Sequence, residues 1–149
     1  MKKKTFTFVL KNDLAELKDL CLHCEELGQS FGLSERFIFQ TNLALDELFT
    51  NIVTYGFKDK EEHRITINIT VDQKALTLCI EDDGVPFDPI HAPEPDLTCS
   101  MEDAKVGGLG IHLIKNIMDE IKYSRVDGKN VLHLTKYLCA SKERKSRRA

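Results

Sequence analysis

Ile65-Thr66-Ile67-Asn68-Ile69-Thr70-Val71-Asp72-Gln73-Lys74-Ala75-Leu76-Thr77-Leu78-Cys79-Ile80-Glu81-Asp82-Asp83-Gly84 is the stretch that decides the fold. Ile65, Ile67, Ile69 and Val71 recur every second residue, as do Leu76, Leu78 and Ile80. This period of two belongs to half-buried strands. Asp72-Gln73-Lys74 is too short to do anything but turn the chain back, so the pair reads as an antiparallel hairpin. Counting on by twos, Asp82 falls on the same face as Leu76, Leu78 and Ile80, toward the core. A carboxylate there is costly unless something donates hydrogen bonds to it. An adenine amino group is such a donor, and Gly84 just beyond lets backbone approach a ligand closely. The plainer alternative is a polar strand end turning into solvent.

Upstream, Thr5 to Leu10 alternates Phe6, Phe8 and Leu10 with polar neighbours and predicts another strand. Asp13 with Glu16 has capping-box spacing, and Leu14, Leu17, Leu20 or Cys21, Cys24 and Leu27 continue at helical spacing. Gly28 and Gly32 are expected to end that helix. Ser34 is the natural N-cap of a second helix running to about Tyr55-Gly56. At 100° per residue, Ile38, Leu45, Leu48, Phe49 and Ile52 cluster on one side of it. Glu47 and Asn51 share the opposite side, one turn apart, with Leu43 and Ala44 flanking them. A solvated face is the ordinary explanation of such a pair. The chemistry also suits a phosphate site: an amide oxygen can take one position on Mg²⁺, and a carboxylate can accept a proton from an attacking hydroxyl.

Downstream, Pro86 to Val106 carries all four prolines among acidic and small residues with no sustained period. A stretch of this length inside a compact domain is expected to be a lid, a binding loop or disorder. Gly107-Gly108-Leu109-Gly110 then opens a helix from about Leu109 to Glu120. Helix N-termini present free N–H groups, and glycines let phosphate oxygens come close. The run lacks the Lys-Ser/Thr of a Walker loop and does not follow a strand as a Rossmann fingerprint does. Ile121–Val126 and Asn130–Leu138 around Asp127-Gly128 predict a closing hairpin. The expected fold is α+β: a two-layer sandwich of one mixed, mainly antiparallel sheet with helices on a single face.

A chain of 149 residues, 42% hydrophobic and 30% charged, suits one domain with a buried core, expected over 1–140. The basic run at 141–149 reads as a solvated tail. A net charge of −3 gives no argument for nucleic acid or membrane as a partner. Neither a 20-residue apolar span nor a signal-peptide core is present in the sequence, and the five cysteines are odd in number and scattered. A cytoplasmic protein is expected. Cys21 and Cys24 form a lone CxxC inside a helical pattern, which reads as core or interface thiols rather than a metal knuckle.

In order and spacing these pieces resemble the GHKL superfamily of ATPases (the Bergerat fold), which includes gyrase and histidine-kinase catalytic domains. The resemblance covers nearly the whole chain, from the first strand to Leu138. Within it, Ala44-Leu45-Asp46-Glu47-Leu48-Phe49-Thr50-Asn51 and Asp82-Asp83-Gly84-Val85-Pro86-Phe87-Asp88-Pro89 are most similar to bacterial anti-sigma factor serine kinases. The resemblance implies ATP or ADP with Mg²⁺ as cofactors. It implies that Asn51 holds the metal, Glu47 is the base, and Asp82 binds the adenine amino group beside Gly84. Gly108 and Gly110, with Leu109 between them, would surround the phosphates. It also implies a homodimer, a sigma factor and a serine-phosphorylated antagonist as partners. Pro86 stands where many relatives have a second glycine, which stiffens the lid hinge. A nucleotide-binding interaction module without significant turnover is therefore the alternative. Small-molecule hydrolysis is a weaker reading, since Ser100 has no evident partner.

Overall fold

The computed structural model describes residues 3–91 and 108–138. Most of the expected lid, Gly107 and the basic tail lie outside those residues. In chain order the elements are β1 (Lys4–Lys11), α1 (Glu16–Ser30), α2 (Glu35–Tyr55), β2 (Arg64–Val71) and β3 (Ala75–Asp82). A 3-10 turn (Pro89–His91), α3 (Gly108–Ile117), β4 (Glu120–Val126) and β5 (Lys129–Tyr137) follow. The strands form one sheet in the order β1-β2-β3-β5-β4. All four pairings are antiparallel, so the sheet is more uniform than the mixed one expected.

The alternation at Ile65–Asp82 produces the core directly. Ile65, Ile67, Ile69, Val71, Leu76, Leu78 and Ile80 are all buried, joined across β5 by Leu132 and Leu134. Over them lie Leu20, Cys24 and Leu27 of α1, Leu45, Leu48 and Phe49 of α2, and Ile111 and Ile114 of α3. Both hairpins close as their turn residues require. Asp72 Oδ1 accepts from the backbone of Lys74 (2.7 Å) and Ala75 (2.9 Å). Asp127 and Gly128 take φ of 51° and 77°, the left-handed pair that a two-residue hairpin turn needs.

Two helix boundaries differ from expectation. Asp13 does not cap α1 reciprocally with Glu16; its Oδ1 accepts from Ala15 N (2.9 Å), and the chain makes a turn before the helix starts. Gly28 does not end α1 but lies inside it. A Cβ there would sit 2.5 Å from Ile38 Cγ1, so the glycine lets α1 and α2 approach closely. Gly32, at φ 69°, follows the helix end. Ser34 caps α2 as read, accepting from Phe37 N at 3.1 Å.

Candidate functional site

Between α2, α3 and the far ends of β3 and β5 lies a cavity of about 170 Å³. Its walls are mostly apolar, from Leu48 and Ile52 of α2, Ile80 of β3, Ile111 of α3, Leu132 of β5 and Val85 after β3. Asp82, Asn130 and Asn51 supply polar groups, and Tyr55 and Phe87, each about half exposed, also line it. Apolar cavities of roughly 150 Å³ hold a benzene ring, so this one suits a flat heteroaromatic base.

Asp82 ends β3 on the core face, where alternation put it, and retains only 6% of its surface. Its Oδ1 accepts from Gly84 N at 2.9 Å and Asn130 Nδ2 at 3.0 Å. Burial pushes its carboxyl above the usual range, while Asn130, the Gly84 amide and the Arg125 charge pull it back. Arg125 also donates to Gly84 O at 2.8 Å. Gly84 is needed for steric reasons: a Cβ would run into the Gly56 carbonyl and lie 2.9 Å from Asp82 Oδ1. Val85 N donates to that same Gly56 carbonyl at 2.7 Å. The end of α2 and the turn after β3 are thereby joined behind the cavity.

Glu47 and Asn51 lie on a half-buried side of α2, not a fully solvated one. The Asn51 Nδ2 is buried without a hydrogen-bond partner among the described residues. An unpaired buried amide is expensive, and Asn51 is among the residues that line the cavity. The Glu47 carboxylate faces the first turn of α3, where a Cβ on Gly110 would overlap Glu47 Oε2. The structure thus brings Glu47 and Gly110 together and gives that glycine a steric role not anticipated from phosphate approach. Gly108 opens α3 and Leu109 follows it, as expected of the glycine run. From the other end of α3, Lys115 Nζ donates to Ile90 O at 2.9 Å.

Two groups escaped the sequence reading. The first is Asn130, directly opposite Asp82 in the β3–β5 register. Alternation is the signal that places it inward, since Asn130, Leu132 and Leu134 share one face of β5 and all are buried. The second is His63, stacked on Phe57 at 4.2 Å between ring centroids. Its Nε2 lies 2.6 Å from Asp59 and its Nδ1 3.1 Å from Asp83. Ionised carboxylates only accept, so the two contacts together favour the protonated imidazole, in which both ring nitrogens donate. The Asp59 hydrogen bond is the main cause holding its pKa above 6.5, with both carboxylate charges adding to it. No sequence period marks this pair, because Asp59 and His63 sit in an irregular loop.

The clamp's contribution is complete below the unfolded histidine value and is lost as pH rises through the higher folded one. At the acid end Asp59, whose pKa is lowered, gives up its share only as pH falls below its ordinary value of 3.8. The clamp is therefore expected to be fully formed between about pH 4 and 6.5 and to loosen above that. Imidazole NMR titration should find His63 above the ordinary histidine value, and Asp59→Asn should lower it. A His63 titration unchanged by Asp59→Asn would sink this account.

Residues 10–136 match the family described as the histidine kinase-like ATPase domain. The chain belongs to that family. The serine/threonine-protein kinase BtrW of Bordetella bronchiseptica is 31% identical over 137 residues, covering 92% of this chain and 96% of that one. The anti-sigma F factor of Clostridium novyi is 27% identical over 85 residues, 57% of this chain and 59% of that one. Among solved structures, the blue-light activated histidine kinase EL346 of Erythrobacter litoralis superposes with a TM-score of 0.53 at 17% identity. That match covers 74% of this chain and 33% of the kinase, and the likeness is one of fold. A histidine kinase-like ATPase domain implies binding of ATP or ADP. Among the described residues, no helix is long and apolar enough to cross a membrane.

Proposed function

We propose that this chain is an ATP-dependent regulatory kinase, an anti-sigma factor that binds a sigma factor and phosphorylates an antagonist protein on serine. The observation that carries the reading is the cavity itself. It is an apolar slot with one buried carboxylate, Asp82, and an amide, Asn51, whose Nδ2 is buried without a partner among the described residues. The kinase name of a relative matched over 92% of this chain and the anti-sigma name of one matched over 57% of it support the finer assignment.

The residues present fit the nucleotide. Asp82, with Oδ1 engaged by Asn130 and Gly84, offers its other oxygen to a base amine. Gly84 keeps the chain after β3 close to α2, which sets the depth of the slot. The Asn51 carboxamide is an oxygen donor suited to Mg²⁺, which keeps waters and phosphates as its remaining ligands. Bound Mg-ATP supplies the γ-phosphoryl group and the charge neutralisation for its transfer. Glu47, one turn from Asn51, accepts the proton of the attacking serine hydroxyl. Gly108, Leu109 and Gly110 open α3, and backbone N–H groups of its first turn would meet the phosphate oxygens. The domain is proposed to span 1–140, with 141–149 as a tail, in a cytoplasmic protein.

Incubation with Mg-ATP and a purified candidate antagonist, followed by phosphoserine detection, tests the reading. Phosphoserine on the antagonist, absent without Mg²⁺, is expected. Nucleotide-dependent binding with no phosphoserine would favour the interaction module instead, for which the rigid Pro86 is the specific argument.

A homodimer is also proposed, through β1 and α1. Leu20, Cys24 and Leu27 of α1 face the core, whereas Leu22, just off that stripe, and Leu14, just ahead of the helix, stay about half exposed. Light scattering at micromolar concentration should give twice the monomer mass, and Leu22→Asp should reduce it. A clean monomer with and without nucleotide would remove the dimer and leave the ATP site untouched.

A further inference from the structure

Asn130 retains 7% of its surface and uses its whole amide. Its Nδ2 donates to Asp82 Oδ1 (3.0 Å) and to the Val85 carbonyl (2.8 Å). Its Oδ1 accepts from the Tyr123 hydroxyl (2.5 Å) and from Phe87 N (3.3 Å). A carboxamide has two N–H donors and two lone pairs, so every valence is filled. The orientation is also unique. Exchanging nitrogen and oxygen would set an oxygen against both the Asp82 carboxylate and the Val85 carbonyl.

Two elements are therefore fixed by one side chain. One is the carboxylate on the cavity floor, and the other is the Val85–Phe87 segment that forms part of its wall. Both hydrogen bonds to Asp82 fall on Oδ1, so Oδ2 is aimed by the same contacts. We propose that Asn130 is the positioning residue for base recognition, holding Asp82 and the Val85–Phe87 wall as one unit so that a purine amine meets a fixed acceptor. This rests on the reading of Asp82 as the base acceptor. Donation from Asn130 also favours the ionised carboxylate against the burial that opposes it.

The test uses the full chain with ADP as probe. Asn130→Asp keeps the size and the acceptors for Tyr123 and Phe87, but sets a second carboxylate against Asp82. Two carboxylates sharing a site hold a proton between them well above the usual range. Carboxyl-carbon NMR of the nucleotide-free protein should therefore show Asp82 titrating at least about one pH unit higher than in the wild type. ADP affinity at pH 8 should fall roughly 10- to 100-fold. It should partly recover toward pH 6, where the shared proton restores a donor, whereas the wild type gains nothing on acidification. A purely structural loss would lower affinity in parallel at every pH.

Tyr123 also lines the cavity, and Tyr123→Phe keeps its ring there while removing only the hydroxyl contact to the amide, so it should weaken ADP about threefold to tenfold. If Asn130→Asp does not fold, Tyr123→Phe decides on ADP affinity. An unmoved Asp82 titration, or a parallel pH profile, in Asn130→Asp overturns the proposal, as does wild-type ADP affinity in Tyr123→Phe. ADP binding indifferent to Asp82→Asn would instead overturn the base assignment. The nucleotide-free titration tells the two failures apart.

Discussion

Glu47→Gln is expected to lower serine phosphorylation by roughly 10²-fold or more while ADP still binds as in the wild type. The substitution keeps the shape of the side chain, so its packing over Gly110 is preserved, and it removes only the basicity. Asn51→Ala should behave in the opposite way. Truncation deletes the amide on the cavity wall, so Mg²⁺-dependent nucleotide binding weakens before any chemistry is reached. Phosphoserine assays and calorimetric titration with Mg-ADP, run on both variants, separate the roles. Equal losses of binding in the two would mean that this side of α2 is structural and that the base lies elsewhere.

How much was legible in the sequence depended on whether a residue's role was local. Ile65 to Asp82 could be read because a strand's period is two and a turn as short as Asp72-Gln73-Lys74 leaves few geometries. The same count placed Asp82 on the buried face before any contact was known. The cap at Ser34 and the Asp127-Gly128 turn are likewise decided within a few residues. Gly28 was misread because a glycine near the expected end of an amphipathic stretch looks like a stop. Its cause is Ile38, on another helix, and no local signal carries that.

The site shows the same division. Glu47, Asn51 and Asp82 were individually visible, but the contact between Glu47 and Gly110 joins residues 63 positions apart in the chain. Asn130 opens the strand expected over Asn130–Leu138, and the alternation that places it inward with Leu132 and Leu134 does not by itself distinguish a site residue from a polar strand end. The His63 clamp had no pattern to betray it, since it draws Asp59 and Asp83 from a loop and a strand end. Such pairings depend on tertiary closure, which periodicity does not encode.

Asp82→Asn is expected to weaken ATP by roughly 10- to 100-fold and to lose discrimination against GTP, because the asparagine cannot satisfy both sides of its position. On one side wait two donors, Gly84 N and Asn130 Nδ2. If the new amide turns its oxygen toward them, its NH₂ group faces the slot and meets the adenine amine donor to donor. If it turns the other way, the slot regains an acceptor but two buried donors oppose an NH₂ group. Either arrangement leaves polar groups unpaired in a mostly apolar slot. The first is favoured because it satisfies two donors at once, and it presents a donor that a 6-oxopurine can accept. GTP should therefore lose less affinity than ATP, narrowing or reversing the preference. Competition titrations of ATP against GTP measure this directly. A variant that binds ATP at full strength and still rejects GTP would show that Asp82 does not read the base.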